Sequence, residues 1–267
     1  MITEWCRSLL RLLLLVATLN ECLVRFYFLT LRLGRQITVH DRARWLHESC
    51  LRVLYRMSFR RSFRGPLPPS GLVVSNHLSH LDILVYGATL PCIFVAKSEL
   101  RRWPLFGLLA RLGGTIFIER GNVISTASAA SRMENLLREN IPVLLFPEGT
   151  SSDGSTVLRF HAALFHSAVR AQQPIAPAAI RYSAGQGVPE KDLCYYGPVR
   201  FLPHLLKTLG RRDVQAALTF GSDSEIYSSR KAAANETWQQ VMLLRGHTVS
   251  NPGDAAATVS PAANTSR

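Results

Sequence analysis

With 267 residues, 47% of them apolar, the chain has material for one substantial hydrophobic core plus an appended element, and its composition excludes a wholly disordered protein. Its 31 lysines and arginines against 18 acidic residues give a formal charge of +13, which directs attention to anionic partners, either nucleic acid or an anionic membrane. The five cysteines, Cys6, Cys22, Cys50, Cys92 and Cys194, include no C-x-x-C pair, which argues against a zinc cluster or disulfide framework and reads as a reduced, cytosol-facing chain.

From Trp5 to Leu33 the chain is strongly apolar but punctuated by Arg7, Arg11, Asn20, Glu21, Arg25 and Arg32. Its clean apolar run, Leu12 to Leu19, falls short of the roughly 20 residues that cross a bilayer. Asn20-Glu21-Cys22 offers neither a small-residue cleavage site nor a good lipoprotein box. The stretch therefore predicts one or two helices lying in the membrane interface, with arginines reaching to phosphates and Trp5, Phe26, Tyr27 and Phe28 at headgroup level. A second basic stretch, Arg42 to Arg64, carries Trp45, Leu46, Val53, Leu54, Tyr55 and Phe59 and reads as amphipathic, facing either the membrane or the domain that follows.

Gly65-Pro66-Leu67-Pro68-Pro69-Ser70-Gly71 is a breaker cluster. It divides the chain into N-terminal amphipathic, membrane-associating helices over 1–64 and a principal domain over 65–247. The remainder, 248–267, is rich in Ala, Ser, Thr, Pro and Asn without an apolar stripe and is expected to be disordered. Within the domain, Leu72 to Ser75, Cys92 to Ala96, Thr115 to Ile118 and Val143 to Phe146 read as buried strands. Leu81 to Leu90, Pro104 to Leu112 and Ser125 to Glu139 read as helices between them. Later strands are Ile175 to Tyr182, interrupted by Pro177, and Val214 to Phe220. The alternation predicts an α/β fold: a mixed, largely parallel sheet flanked by helices.

In such a sheet, chemistry gathers where strands end in loops. Leu72 to Val74 delivers the chain to Ser75-Asn76-His77-Leu78-Ser79-His80-Leu81-Asp82, where a histidine near a carboxylate can hold a general base. Ser79-x-x-Asp82 also fits a helix capping box, and the two readings are compatible if Ser79 caps while His77 and Asp82 act. His80 is the rival base. Glu119-Arg120-Gly121 and Pro147-Glu148-Gly149-Thr150-Ser151 follow the third and fourth strands. Arg120 presents a planar, permanently charged fork suited to phosphate or to a surface ion pair. Glu148-Gly149-Thr150, taken alone, is a turn.

Taken together, Asn76-His77-x4-Asp82, Gly114-x-x-Phe117-Ile118-x-Arg120 and Phe146-Pro147-Glu148-Gly149-Thr150 resemble the first three sequence blocks of the glycerolipid acyltransferases, the family that includes lysophosphatidic acid acyltransferase. Val95 to Leu100 with Pro104-Leu105-Phe106-Gly107 is similar to that family between its first two blocks, and Ile175-Ala176-Pro177-Ala178 is a looser match to the fourth. The likeness covers about residues 70–182, with the blocks in order.

The resemblance implies acyl transfer from a coenzyme A or acyl carrier protein thioester to a lysolipid hydroxyl, without an acyl-enzyme and with no cofactor or metal. His77 and Asp82 would be catalytic; Lys97, Arg120, Glu148, Gly149 and Thr150 would bind substrate. Partners would be the lysolipid, the thioester donor and an anionic membrane at the cytoplasmic face, with no nucleic acid. Lysophosphatidic acid, giving phosphatidic acid, is the first acceptor expected. Yet Ser151 stands where phosphatidic-acid-forming members commonly carry arginine, and His161 where a basic residue often follows phenylalanine. These departures open the way to another lysolipid, such as lyso-ornithine lipid or a lysophospholipid. Nucleic-acid binding, the rival class, has the charge but no accompanying motif. A serine hydrolase lacks the G-x-S-x-G elbow, and the histidine pairs lack a third metal ligand.

Overall fold

The computed structural model describes residues 2–119, 123–185 and 187–248. Arg120 and the tail from residue 249 onward lie outside the described residues. Two helices open the chain: α1 (Ile2–Leu33), one continuous helix, and α2 (Val39–Met57) after a short 3-10 turn. The first strand, β1 (Arg60–Arg64), precedes β2 (Leu72–Ser75), α3 (Leu81–Gly87), β3 (Ile93–Lys97), α4 (Phe106–Leu112), β4 (Ile116–Ile118), α5 (Val123–Arg138) and β5 (Val143–Leu145). Then come α6 (His166–Arg170), β6 (Ile175–Ser183), α7 (Phe201–Gly210), β7 (Gln215–Phe220) and α8 (Arg230–Leu244).

Among the described residues the strands form one seven-stranded sheet in the order β1-β7-β6-β2-β5-β3-β4. Every neighbouring pair is parallel except β6 and β7. The sheet is thus mixed and largely parallel, as the alternating pattern predicted. Helices cover both faces. Val73, Leu144 and Ile180 point into the core shared with α1, α2, α3 and α7, whereas Leu72, Val74 and Leu145 point into the core shared with α5, α6 and α8.

The sheet begins before the expected boundary at residue 65. Thr38 and Asp41 open α2 with a reciprocal capping box, and Ser58, left-handed at φ 56, closes it by donating its N–H to the Leu54 and Tyr55 carbonyls. The basic run beyond is therefore not helical. Arg60–Arg64 instead lie beside β7 as an exposed edge strand, a place where charged side chains also discourage pairing with another chain. Pro177 does not interrupt β6, because pairing with β7 starts only at Ala178 and the proline carbonyl still accepts from Gly221.

α1 also departs from expectation. Arg7 donates to the Gly210 carbonyl at 2.6 Å, and Arg11 to the Leu209 and Arg211 carbonyls at 2.9 and 2.6 Å, so both satisfy orphan groups at the end of α7 instead of reaching outward. Phe26 turns inward, edge-on to Trp45 at 4.9 Å, and the Trp45 indole donates to the Cys22 carbonyl. Trp5, Leu10, Leu13, Tyr27, Phe28 and Leu31 remain 58–68% exposed along the opposite face. By length and composition the helix could cross a membrane, but a face of it, including Leu15, Leu19 and Cys22, is already buried in the domain.

Candidate active site

The site follows from strand register. Val74 pairs with Leu145 in the parallel β2–β5 ladder, so three residues beyond that pair His77 and Glu148 leave the sheet side by side. The His77 backbone N–H donates to Glu148 Oε1 at 3.0 Å, and the Ser152 N–H returns to the His77 carbonyl at 2.9 Å. On the other side of β2, Ser75 pairs with Ala178 of β6. The Asn76 side chain then continues that ladder: its Nδ2 donates to the Ile180 carbonyl at 3.1 Å and its Oδ1 accepts the Ile180 N–H at 2.9 Å.

His77 Nδ1 lies 2.7 Å from Asp82 Oδ2, and the same oxygen accepts the N–H groups of Leu78 at 2.7 Å and Ser79 at 3.1 Å. A five-residue separation would place the two side chains about 140° apart on a continuous helix. Here His77 sits in the turn and Asp82 is buried in the first turn of α3, reaching back. The expected capping role of Ser79 is not found, because its hydroxyl is buried without a partner while the Asp82 carboxylate takes the N–H groups of the turn. The imidazole stacks on the Phe146 ring at 4.3 Å and 16°. With Nδ1 committed to the carboxylate, Nε2 is the nitrogen left for chemistry.

His77 lines an apolar cavity of about 500 Å³, a volume within the range typical of ligand pockets. Its inner walls include Leu19 and Cys22 of α1, Val53 and Met57 of α2, and Leu209 of α7. The N-terminal helices therefore build the cavity as well as preceding the domain. Among the described residues its charged lining consists of Lys97 and Glu99. Lys97, at the end of β3, and Thr150 are exposed at this cavity, and Gly149, at φ 66, lines it in a left-handed turn that suits glycine. Gly107 is needed for close approach: a Cβ there would meet the Leu100 and Arg101 carbonyls at 2.6 and 2.4 Å, where α4 starts against the segment carrying Glu99.

Glu148 sits behind His77 and is not among the cavity-lining residues. Burial, opposed by N–H groups from His77 and Leu158, pushes its carboxyl from an ordinary 4.5 up to about 8. A carboxyl whose folded value is raised stabilises the fold fully below its unfolded value and loses that contribution as pH rises through the folded one. Glu148→Gln keeps an oxygen for the His77 N–H and cannot ionise. Its melting temperature is expected to fall less than wild type's between about pH 5 and pH 9, the difference corresponding to roughly 3–5 kcal/mol at most. Parallel melting curves in thermal-shift buffers would refute this.

His80 is a poor rival base. Both its ring nitrogens are buried without partners, packed edge-on against Phe201 and His204, and burial first, then the nearby His204 and His77, push its pKa down to about 3. Ser151 turns its hydroxyl to the Tyr195 carbonyl.

Sequence reasoning did not single out Phe146 as the stacking partner, the Asn76–Ile180 pairing, or Tyr182, whose hydroxyl donates to Asp82 Oδ1 at 2.6 Å. Strand alternation, which puts Tyr182 on the same inward face as Ile180, was the available signal for the last.

A family model described as Acyltransferase matches residues 60–181. The chain is 31% identical over 234 residues to the lyso-ornithine lipid O-acyltransferase of Rhizobium meliloti, covering 82% of this chain and 79% of that protein. It is 37% identical to the protein of the same name from Pseudomonas aeruginosa, over 62% of each chain. It is also 40% identical over 136 residues to human 1-acyl-sn-glycerol-3-phosphate acyltransferase alpha, covering 48% of this chain and 47% of that one. In fold, the crystal structure of the lysophosphatidic acid acyltransferase PlsC from Thermotoga maritima superposes with a TM-score of 0.61 at 19% identity, over 96% of this chain and all of that one.

Proposed function

From the premise that this chain belongs to the acyltransferase family of the lysophosphatidic acid type, we propose that it transfers a fatty acyl chain from an acyl thioester to the hydroxyl of a lyso-ornithine lipid. The observation that carries the reaction is the His77–Asp82 pair, with His77 lining an apolar cavity of about 500 Å³. His77 Nε2 takes the proton of the acceptor hydroxyl as its oxygen attacks the thioester carbonyl. The carbon–sulfur bond then breaks, and the imidazolium returns the proton to the leaving thiolate. Asp82 holds the ring and offsets its transient positive charge. The acyl chain occupies the apolar walls, and Lys97, Gly149 and Thr150 bind the polar ends of the substrates. Arg120 belongs to the same reading through its place in the second family block. Acyl-CoA or acyl carrier protein supplies the thioester as co-substrate.

Two observations support the acceptor. Ser151 brings no charge where an arginine would suit a phosphomonoester, and its hydroxyl is already bonded to a backbone carbonyl. Lys97 and Glu99 give the described cavity lining one charge of each sign, in keeping with a zwitterionic amino-acid headgroup. The relatives named for lyso-ornithine lipid point the same way. The exposed apolar stripe of α1, in a chain of net charge +13, supports docking on the cytoplasmic face of an anionic membrane, with residues from β1 onward forming the catalytic domain.

The purified protein, on anionic vesicles with labelled acyl-CoA or acyl carrier protein, is expected to favour lyso-ornithine lipid over 1-acylglycerol 3-phosphate by about tenfold or more in kcat/KM. The reverse preference would sink the acceptor assignment and leave acyl transfer standing. Acylation of neither would sink both.

A further inference from the structure

The carboxylate of Asp82 receives four hydrogen bonds, and three of them crowd one oxygen. Oδ2 accepts from His77 Nδ1, Leu78 N and Ser79 N, all contributed by its own turn. Oδ1 accepts from Tyr182, a residue 100 positions away on β6. The phenol is buried and is not among the cavity-lining residues, so nothing in its position suits it to touch substrate. Burial first and the Asp82 charge second push its pKa well above the ordinary value, so it keeps its proton as a donor.

The strand carrying this phenol is itself held in register at three points. Asn76 pairs with both backbone groups of Ile180, the Tyr182 N–H donates to Glu190 Oε1 at 2.7 Å, and the buried Arg245 guanidinium joins Glu190 to the Ile180 carbonyl. The amide of the residue next to His77 thus fixes the strand whose tyrosine fixes the partner of His77.

We infer that Tyr182 is a positioning residue for acyl transfer: its hydroxyl holds the second oxygen of Asp82, so that the carboxylate stays turned to the His77 ring. This rests on the reading of His77 and Asp82 as the catalytic pair. Without the phenol, Oδ1 is left in a dry interior with no donor. The carboxylate is then less stable as an anion, and the pair binds a proton more readily. The base must be unprotonated to act, so the acid limb of the rate profile moves to higher pH.

The other titratable groups that feel Asp82 are Tyr86 and Cys194, whose pKa values are driven up chiefly by burial, and Glu148, which burial pushes up to about 8, on the alkaline side. His80, near His77, has its pKa pushed down to about 3, chiefly by burial. Over the acid limb, therefore, none of these groups changes charge.

The test is Tyr182→Phe in the full-length protein, beside wild type and His77→Ala in one vesicle assay. We expect kcat to fall roughly tenfold with KM nearly unchanged, and the acid limb of kcat/KM to rise by about half to one pH unit. A ring-fluorinated tyrosine at position 182, a stronger donor of similar size, is expected to move the limb the opposite way. A purely structural role would lower the amount of active protein without moving either limb. Limbs that coincide with wild type overturn the inference while wild-type activity keeps the functional reading intact. If His77→Ala is as active as wild type, the catalytic pair falls, and the role of Tyr182 with it.

Discussion

Replacing His77 by alanine is expected to lower kcat for acyl transfer by roughly 10³-fold, the usual scale for loss of a general base, while the protein stays folded. The substitution isolates the ring because the interactions that order this turn are main-chain ones. The His77 N–H to Glu148 and the His77 carbonyl to Ser152 survive in the variant, as do the Leu78 and Ser79 N–H groups on Asp82. What disappears is the imidazole stacked on Phe146, with Nδ1 tied down and Nε2 available to the cavity. Substrate binding should change little, since the apolar walls and Lys97 are untouched. Initial rates with a labelled acyl thioester, together with a melting curve, decide the matter: a folded alanine variant within tenfold of wild type would remove His77 from the mechanism.

Asp82→Asn is expected to cost about 10²–10³ in kcat and to move the acid limb of kcat/KM to lower pH. An asparagine can keep its oxygen toward His77 Nδ1 and the two N–H groups only by turning its amide nitrogen to Tyr182, whose hydroxyl can accept as well as donate. The ring tautomer is then preserved and the negative charge is lost. An imidazolium with no carboxylate beside it forms less readily, hence the lower limb. The buried site also loses roughly 1–3 kcal/mol of stability through weakened hydrogen bonds. This limb moves in the opposite direction to that of Tyr182→Phe, so the two variants separate loss of the carboxylate's charge from loss of its support. An acid limb that rises in Asp82→Asn would mean that the carboxylate does not act electrostatically on His77.

The N-terminal region illustrates how a correct residue pattern can be given the wrong partner. The arginines near the start of α1 stand among leucines, and a membrane phosphate is a reasonable match for them. In the fold, the carbonyls at the end of α7 are the match, because a helix terminus packed against α1 leaves acceptors that solvent does not reach well. Arg42 and Arg132 do similar work at the end of α4, donating to the Leu112 and Gly114 carbonyls. Part of the positive charge is thus internal wiring, and the exposed apolar stripe of α1 is the stronger argument for a membrane surface.

Local sequence determined much of this protein. The breaker cluster at 65–71 and the alternation of short apolar runs with amphipathic segments gave the mixed sheet, and the three polar clusters at strand ends gave the places where chemistry could gather. These signals are local: side-chain periodicity and turn chemistry act over a few residues and survive without knowledge of the partner strand. β1 and α8 were not legible. β1 is an exposed edge with no alternation of burial, and α8 buries one face of Ala233, Ala234, Thr237, Trp238, Val241 and Met242 that mixes small and polar residues with large ones, while the large apolar Leu243 lies exposed, so its faces contrast weakly in the sequence. Only the tertiary structure decided which strands are neighbours, and the site depends on that. The β2–β5 register brings Glu148 to the backbone of His77, the β2–β6 register brings Tyr182 to Asp82, and packing of α1 and α2 closes the apolar cavity. Contacts across 71 and 100 positions arise from strand pairing and burial of shared apolar faces, which no window along the chain contains.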